Sequence, residues 1–131
     1  MTILIVRLSA LGDIVHALPV LAAIRRTRPD ASIDWLVEDS YASILAMATG
    51  LRRRIIVRGT RRGSADTAES FGGGWGYVQA ISYLRAQHYD VALDLQGLIK
   101  SAVWSRASGA RRVVGFETSH LREPQAGAFY T

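Results

Sequence analysis

Four apolar residues, Ile3-Leu4-Ile5-Val6, stand almost at the start of the chain and give way at once to a short turn, Arg7-Leu8-Ser9-Ala10-Leu11-Gly12. A run that short, apolar at every position and β-branched at three of the four, suits a strand covered on both faces, as in a parallel sheet. A helical pattern follows, with Ile14, Val15, Leu18, Leu21, Ala22 and Ile24 on one side. Strand, turn and helix in that order form the first unit of a parallel α/β sheet. In such sheets ligands sit outside the carboxyl ends of the strands, where this turn lies. Asp13 opens the helix there. An aspartate at a helix start caps free N–H groups and is favoured by the dipole. A carboxylate in a cleft also suits general-base chemistry. Spacing alone leaves both readings open.

The same alternation continues along the chain. Pro19 falls inside the first helical pattern and predicts a kink or a new first turn. The helix should end near Arg28-Pro29-Asp30, because the residue before proline is pushed out of helix. Strands are expected over Ser32–Glu38, Arg53–Val57, Tyr89–Leu95 and Arg111–Phe116. Short helices are expected over Tyr41–Ala48, Gly76–Gln87 and Leu98–Ala107. Arg58 to Gly74 has no periodicity and reads as a long loop, a class often functional. Glu117 to Thr131 reads as irregular or as the start of another helix. No internal repeat, coiled coil or low-complexity tract is present. The expected fold is a Rossmann-like, doubly wound parallel α/β sheet, with its five strands in the order 3-2-1-4-5.

With 131 residues the chain is long enough for one domain with a real core. It has no cysteine, hence no disulfide framework and no thiolate metal site, and a reducing compartment fits. The apolar start is too short to span a bilayer, it lacks the basic prefix of a signal peptide, and nothing later reaches spanning length. The expected location is cytoplasmic, with contact at a membrane surface left open. Net charge is +5, and fifteen of the sixteen basic residues are arginine, whose planar fork suits phosphate and carboxylate. That balance admits nucleic acid, anionic lipid or a phosphorylated substrate as partner. Nucleic acid is disfavoured, because the aromatic residues do not interleave with the arginines.

Four ordered segments resemble one family. Ser9-Ala10-Leu11-Gly12-Asp13-Ile14-Val15-His16-Ala17-Leu18-Pro19 follows the pattern S-x-x-G-D-x-x-H-x-L-P. Asp34-Trp35-Leu36-Val37-Glu38, Asp94-Leu95-Gln96-Gly97-Leu98-Ile99-Lys100-Ser101, and Leu121-Arg122-Glu123-Pro124 with Phe129-Tyr130 agree in order. Together they resemble the lipopolysaccharide heptosyltransferases of glycosyltransferase family 9. The resemblance implies a GT-B fold, in which two Rossmann-like domains face each other across a cleft. Residues 1–131 would be the N-terminal, acceptor-holding half, with the nucleotide-sugar domain absent. It also implies an inverting transfer of heptose from ADP-heptose to the Kdo of a lipid A–Kdo acceptor at the inner face of the inner membrane. No cofactor and no metal are implied.

Site residues are carried over by matching motif. Asp13 takes the place of the base that removes the acceptor hydroxyl proton, while capping would hold the same side chain in place. His16, one turn on, would touch the acceptor or orient Asp13, or be a buried, satisfied histidine; Ser9 and Gly12 belong to the same acceptor-binding loop. Leu51 to Arg62 carries six arginines. Of these, Arg61 and Arg62 match a pair that contacts the anionic acceptor. The family pattern continues Trp-Arg-Lys where this chain has Gly63-Ser64-Ala65, so the phosphate grip is expected to be rearranged. Gln96 and Lys100 match Q-G-L-x-K and would bind sugar hydroxyls or phosphate, unless Asp94 merely caps the next helix and Lys100 is solvated. Arg122 matches a further acceptor arginine, or else pairs with Glu123 or Glu117. Phe71-Gly72-Gly73-Gly74-Trp75-Gly76 is not G-x-G-x-x-G, has no clear strand before it, and reads as a hinge leading into a helix.

Two other classes compete. A non-catalytic α/β module could bind an anionic glycolipid or phosphorylated ligand. A flavodoxin-like nucleotide-binding domain is disfavoured, since no phosphate loop follows the first strand.

Overall fold

The computed structural model describes residues 1–57, 70–71, 73–116 and 124–131. In chain order the elements are β1 (Thr2–Val6), α1 (Leu11–Thr27), β2 (Ser32–Glu38), a 3₁₀ segment (Asp39–Met47), β3 (Arg53–Val57), β4 (Ser70–Phe71), α2 (Gly73–Ala86), β5 (Val91–Asp94), α3 (Ile99–Ala107), β6 (Arg112–Val114) and a second 3₁₀ segment (Pro124–Phe129). All strands pair in parallel, in the order β4-β3-β2-β1-β5-β6. The expected order 3-2-1-4-5 is therefore that of β3-β2-β1-β5-β6, with β4 added beside β3 as a two-residue edge strand.

Strand β1 shows why the run Ile3–Val6 admits no wet face. Ile3 and Ile5 join the core beneath α1, with Ile14, Ala17, Leu21, Ile33 and Trp35. Leu4 and Val6 join the core on the opposite face, with Leu36, Ile55, Ala80, Leu84 and Ala92. Alternate residues face opposite ways, so both faces need apolar side chains. Leu4, Ile5 and Val6 are fully buried. Each such side chain stabilises the fold by about 1.5–3 kcal/mol. With α1 and the first 3₁₀ segment on one face and α2 and α3 on the other, the layers are those of a Rossmann-like fold.

Several expectations change. The helix begins at Leu11 with Ala10 as its N-cap, so Asp13 is the third residue of the first turn and not the cap. It runs through Pro19 as one element to Thr27, with pre-proline Arg28 as its C-cap. The segment after β2 is 3₁₀ and not α. The fourth and fifth expected strands shorten to Val91–Asp94 and Arg112–Val114. A short strand, β4, does precede the glycine-rich stretch, and α2 begins at Gly73 rather than Gly76. The remainder of the expected loop over Arg58–Gly74 lies outside the described residues, apart from Ser70, Phe71 and the start of α2.

Candidate active site

The carboxyl edge of β1 is where the chain collects its chemistry. Arg7 leaves β1, and its backbone N–H bonds to the Leu36 carbonyl at 3.3 Å. The Trp35 indole N–H donates to the Arg7 carbonyl at 3.1 Å. Its guanidinium is then pinned, since Nη1 donates to the Leu95 carbonyl at 2.6 Å. Arg7 Nη2 lies 2.7 Å from Asp13 Oδ2, the Arg7 side chain being 8% exposed and that of Asp13 43%. Arg7 Nε is buried and has no hydrogen-bond partner among the described residues. The N-cap Ala10 makes no side-chain cap bond, and the ion pair to Arg7 holds Asp13 on the first turn of α1.

Arg7, Asp13, His16, Leu95 and Phe116 line a cleft of about 250 Å³. His16 is exposed in that wall, which removes the reading of a buried, satisfied histidine. Phe116 is itself 44% exposed at the rim. A Cβ at Gly12 would meet nothing within 4 Å, so packing within the described residues does not require glycine there.

Gln96 acts from the neighbouring strand end. Its Oε1 accepts from the Leu8 N–H at 2.8 Å, and its Nε2 donates to Ser9 Oγ at 3.4 Å. Gln96 therefore clamps the β1–α1 loop. Asp94 does not cap α3, whose N-cap is Leu98. Its Oδ1 accepts from the backbone N–H groups of Gln96 at 2.9 Å and Gly97 at 3.2 Å. Gly97 sits at φ 73°, a left-handed conformation that glycine adopts without strain. Tyr130 Oη donates to Asp94 Oδ2 at 2.5 Å. Burial and then that bond raise the Tyr130 phenol above its usual range. The Tyr130 ring occupies the space a side chain at position 115 would need, since a Cβ on Gly115 would fall 2.1 Å from it.

Lys100 is neither simply solvated nor unpaired, because it forms an ion pair with Glu38 at the end of β2. The pair borders a second, largely apolar cavity of about 320 Å³, lined by Tyr77, Ile81 and Trp104. Asp13, His16, Ser9 and Gln96 thus gather about the β1–α1 loop, and Lys100 lines the other cavity. Arg61, Arg62 and Arg122 lie outside the described residues. Among the described residues no group of three or more His, Asp and Glu side chains is placed to hold a metal ion, and no helix is long and apolar enough to cross a membrane. Sequence reasoning passed over Arg7, Glu38 and Tyr130. The one local signal was for Arg7, a charge set directly against a fully buried strand.

Residues 78–130 match the family described as glycosyltransferase family 9 (heptosyltransferase). Lipopolysaccharide heptosyltransferase 1 of Pseudomonas aeruginosa is 36% identical over 132 residues, covering 99% of this chain and 36% of the relative. The protein of that name from Escherichia coli K12 is 35% identical over 133 residues, covering 99% of this chain and 40% of the relative. The chain thus spans well under half the length of these curated relatives. Among solved structures, Escherichia coli heptosyltransferase WaaC with ADP-2-deoxy-2-fluoro heptose superposes with a TM-score of 0.80 at 32% identity, over 100% of this chain and 41% of that one. Escherichia coli ADP-heptose lps heptosyltransferase II is 19% identical with a TM-score of 0.67, over 88% of this chain and 30% of that one, and shares the fold. By sequence and by fold alike, the chain is similar to the heptosyltransferases of glycosyltransferase family 9.

Proposed function

We propose that this chain is the acceptor-side domain of a lipopolysaccharide heptosyltransferase, the N-terminal half of a GT-B enzyme, and that Asp13 is its catalytic base. The observation that carries the reading is the Asp13 carboxylate, tied to Arg7 yet 43% exposed, in a cleft at the carboxyl edge of a parallel sheet. The names of the relatives support heptose transfer, and the WaaC structure with ADP-2-deoxy-2-fluoro heptose supports an ADP-heptose donor. The chain covers only part of those relatives, so the donor is assigned to a region beyond these 131 residues.

The reaction is a displacement at the anomeric carbon. The acceptor hydroxyl oxygen, on a Kdo residue of a lipid A–Kdo acceptor, forms a bond to that carbon as the bond to the ADP phosphate oxygen breaks. ADP leaves with the electron pair, the configuration inverts, and the hydroxyl proton passes to Asp13. Such a base contributes about 10²–10⁴-fold. His16 lines the same cleft and serves as an acceptor contact; by their family motifs Ser9, Gly12 and Gln96 are further acceptor contacts, and Arg61, Arg62, Lys100 and Arg122 supply positive charge for an anionic acceptor. The protein works at the inner face of the inner membrane without crossing it.

Acceptor binding is measured by titrating this chain with a lipid A–Kdo analogue at low and at high salt. Transfer is measured as ADP release by the chain completed with the remaining length of the Pseudomonas aeruginosa relative. Salt-sensitive binding by the chain alone, with ADP release only in the completed protein, is the expected outcome. Robust release by the 131 residues alone would overturn the assignment of the donor elsewhere.

A further inference from the structure

We infer that Arg7 is the positioning residue of this site and acts on the reaction only through Asp13, an inference that rests on reading Asp13 as the base. Asp13 is 43% exposed on the first turn of α1, behind an N-cap, Ala10, that makes no side-chain cap bond, and its Oδ2 lies 2.7 Å from Arg7 Nη2. Arg7, by contrast, is held from three directions. Its own strand delivers it, β2 holds its backbone through Leu36 and Trp35, and the end of β5 holds its guanidinium through the Leu95 carbonyl. The rotamer freedom of a long arginine is thus already lost in the fold, and the carboxylate meets a partner fixed in place.

Two features argue against a purely structural arginine. Burying a guanidinium is unfavourable unless it is paired and hydrogen-bonded, and here one buried donor, Nε, has no partner among the described residues. Its ionic partner is also the more exposed of the two, so solvent weakens what the pair adds to stability. An apolar side chain at the end of β1 would avoid both costs. A cation beside a carboxylate does not make it a stronger base. What Arg7 adds to the reaction is therefore direction, by holding one oxygen of Asp13 so that the carboxylate faces the cleft that His16 and Phe116 share.

The test is a double-mutant cycle in the completed protein, with Arg7→Met, Arg7→Lys, Asp13→Asn and Arg7→Met/Asp13→Asn, each compared per folded molecule. Arg7→Met should lower kcat by about 10–100-fold and leave the acceptor KM within about 3-fold, the pattern of a displaced catalytic group. Arg7→Lys should recover most of that loss. In the Asp13→Asn background, Arg7→Met should change the residual turnover by less than about 2-fold, because its effect passes through the missing carboxylate. Losses that multiply across the cycle, or a rise in acceptor KM at unchanged kcat, would make Arg7 an independent substrate contact or a framework residue and overturn the inference. An Asp13→Asn protein of normal turnover would instead overturn the reading of Asp13 beneath it. Should Arg7→Met fail to fold, Arg7→Gln takes its place in the same cycle, with the same expected and overturning outcomes.

Discussion

The sheet carries an arginine–aspartate pair at each end, and the two are built oppositely. At the amino end, Asp34 on β2 is fully buried while its partner Arg52 is 34% exposed. Arg52 grips both carboxylate oxygens, at 3.0 and 2.7 Å, and the Tyr89 hydroxyl donates to Oδ2 at 2.6 Å. At the carboxyl end the arginine is buried, the aspartate is exposed, and one guanidinium N–H has no partner among the described residues. A fully buried carboxylate held by three hydrogen bonds is out of reach of a ligand's proton. The first pair therefore ties β2 to β3 and to the entry of β5, and the second leaves its carboxylate within reach of the cleft.

The contrast can be pressed with substitutions. Asp34→Ala strips a buried partner from Arg52 and Tyr89 and should cost about 3–5 kcal/mol in denaturant unfolding, with turnover per folded molecule unchanged. A loss well under 1 kcal/mol would remove the distinction between the pairs. Tyr89→Phe should cost about 1–2 kcal/mol by the same measurement, the worth of a hydrogen bond to a charged group. It should also alter the alkaline limb. Burial, then the bond to Asp34, push the Tyr89 phenol far above its ordinary value. The unfolded chain releases that proton near pH 10 while the fold retains it, so this stability is complete below about pH 10 and is lost as pH rises further. Melting curves between pH 8 and 11 should show a shallower decline in Tyr89→Phe than in the parent, Tyr130 supplying the remainder. The smallest change is expected at Asp13→Asn, about 1 kcal/mol in melting experiments, because the half-exposed Asp13 is screened and solvent partly replaces it beside Arg7. Were Asp13 the helix cap, asparagine would serve equally well and the change would be close to zero.

How far the sequence reveals this follows from what each feature depends on. Strands β1, β2 and β3 were legible because a core on both faces of the sheet makes their buried residues apolar, Asp34 excepted, and the strand order followed from alternation. The first 3₁₀ segment read as α because Tyr41, Ile44, Leu45 and Ala48 have helical spacing, and spacing does not distinguish a wound turn from a tighter one. The cap was misplaced because helix α1 starts at Leu11, behind an alanine that offers no side chain to recognise. Family motifs pointed to Asp13, His16 and Gln96, although Gln96 proves to clamp the loop. Arg7–Asp13, Tyr89–Asp34, Lys100–Glu38 and Tyr130–Asp94 were out of reach, because each joins residues brought close only by the sheet and its connections.

The role of Asp13 is decided most directly by one rate, the turnover of Asp13→Asn in the completed protein with donor and acceptor both saturating. If the exposed carboxylate takes the acceptor proton, ADP release falls by about 100-fold or more while acceptor affinity stays within about 3-fold of the parent. Turnover equal to the parent's, in a protein that folds and binds acceptor normally, would show that Asp13 is not the base.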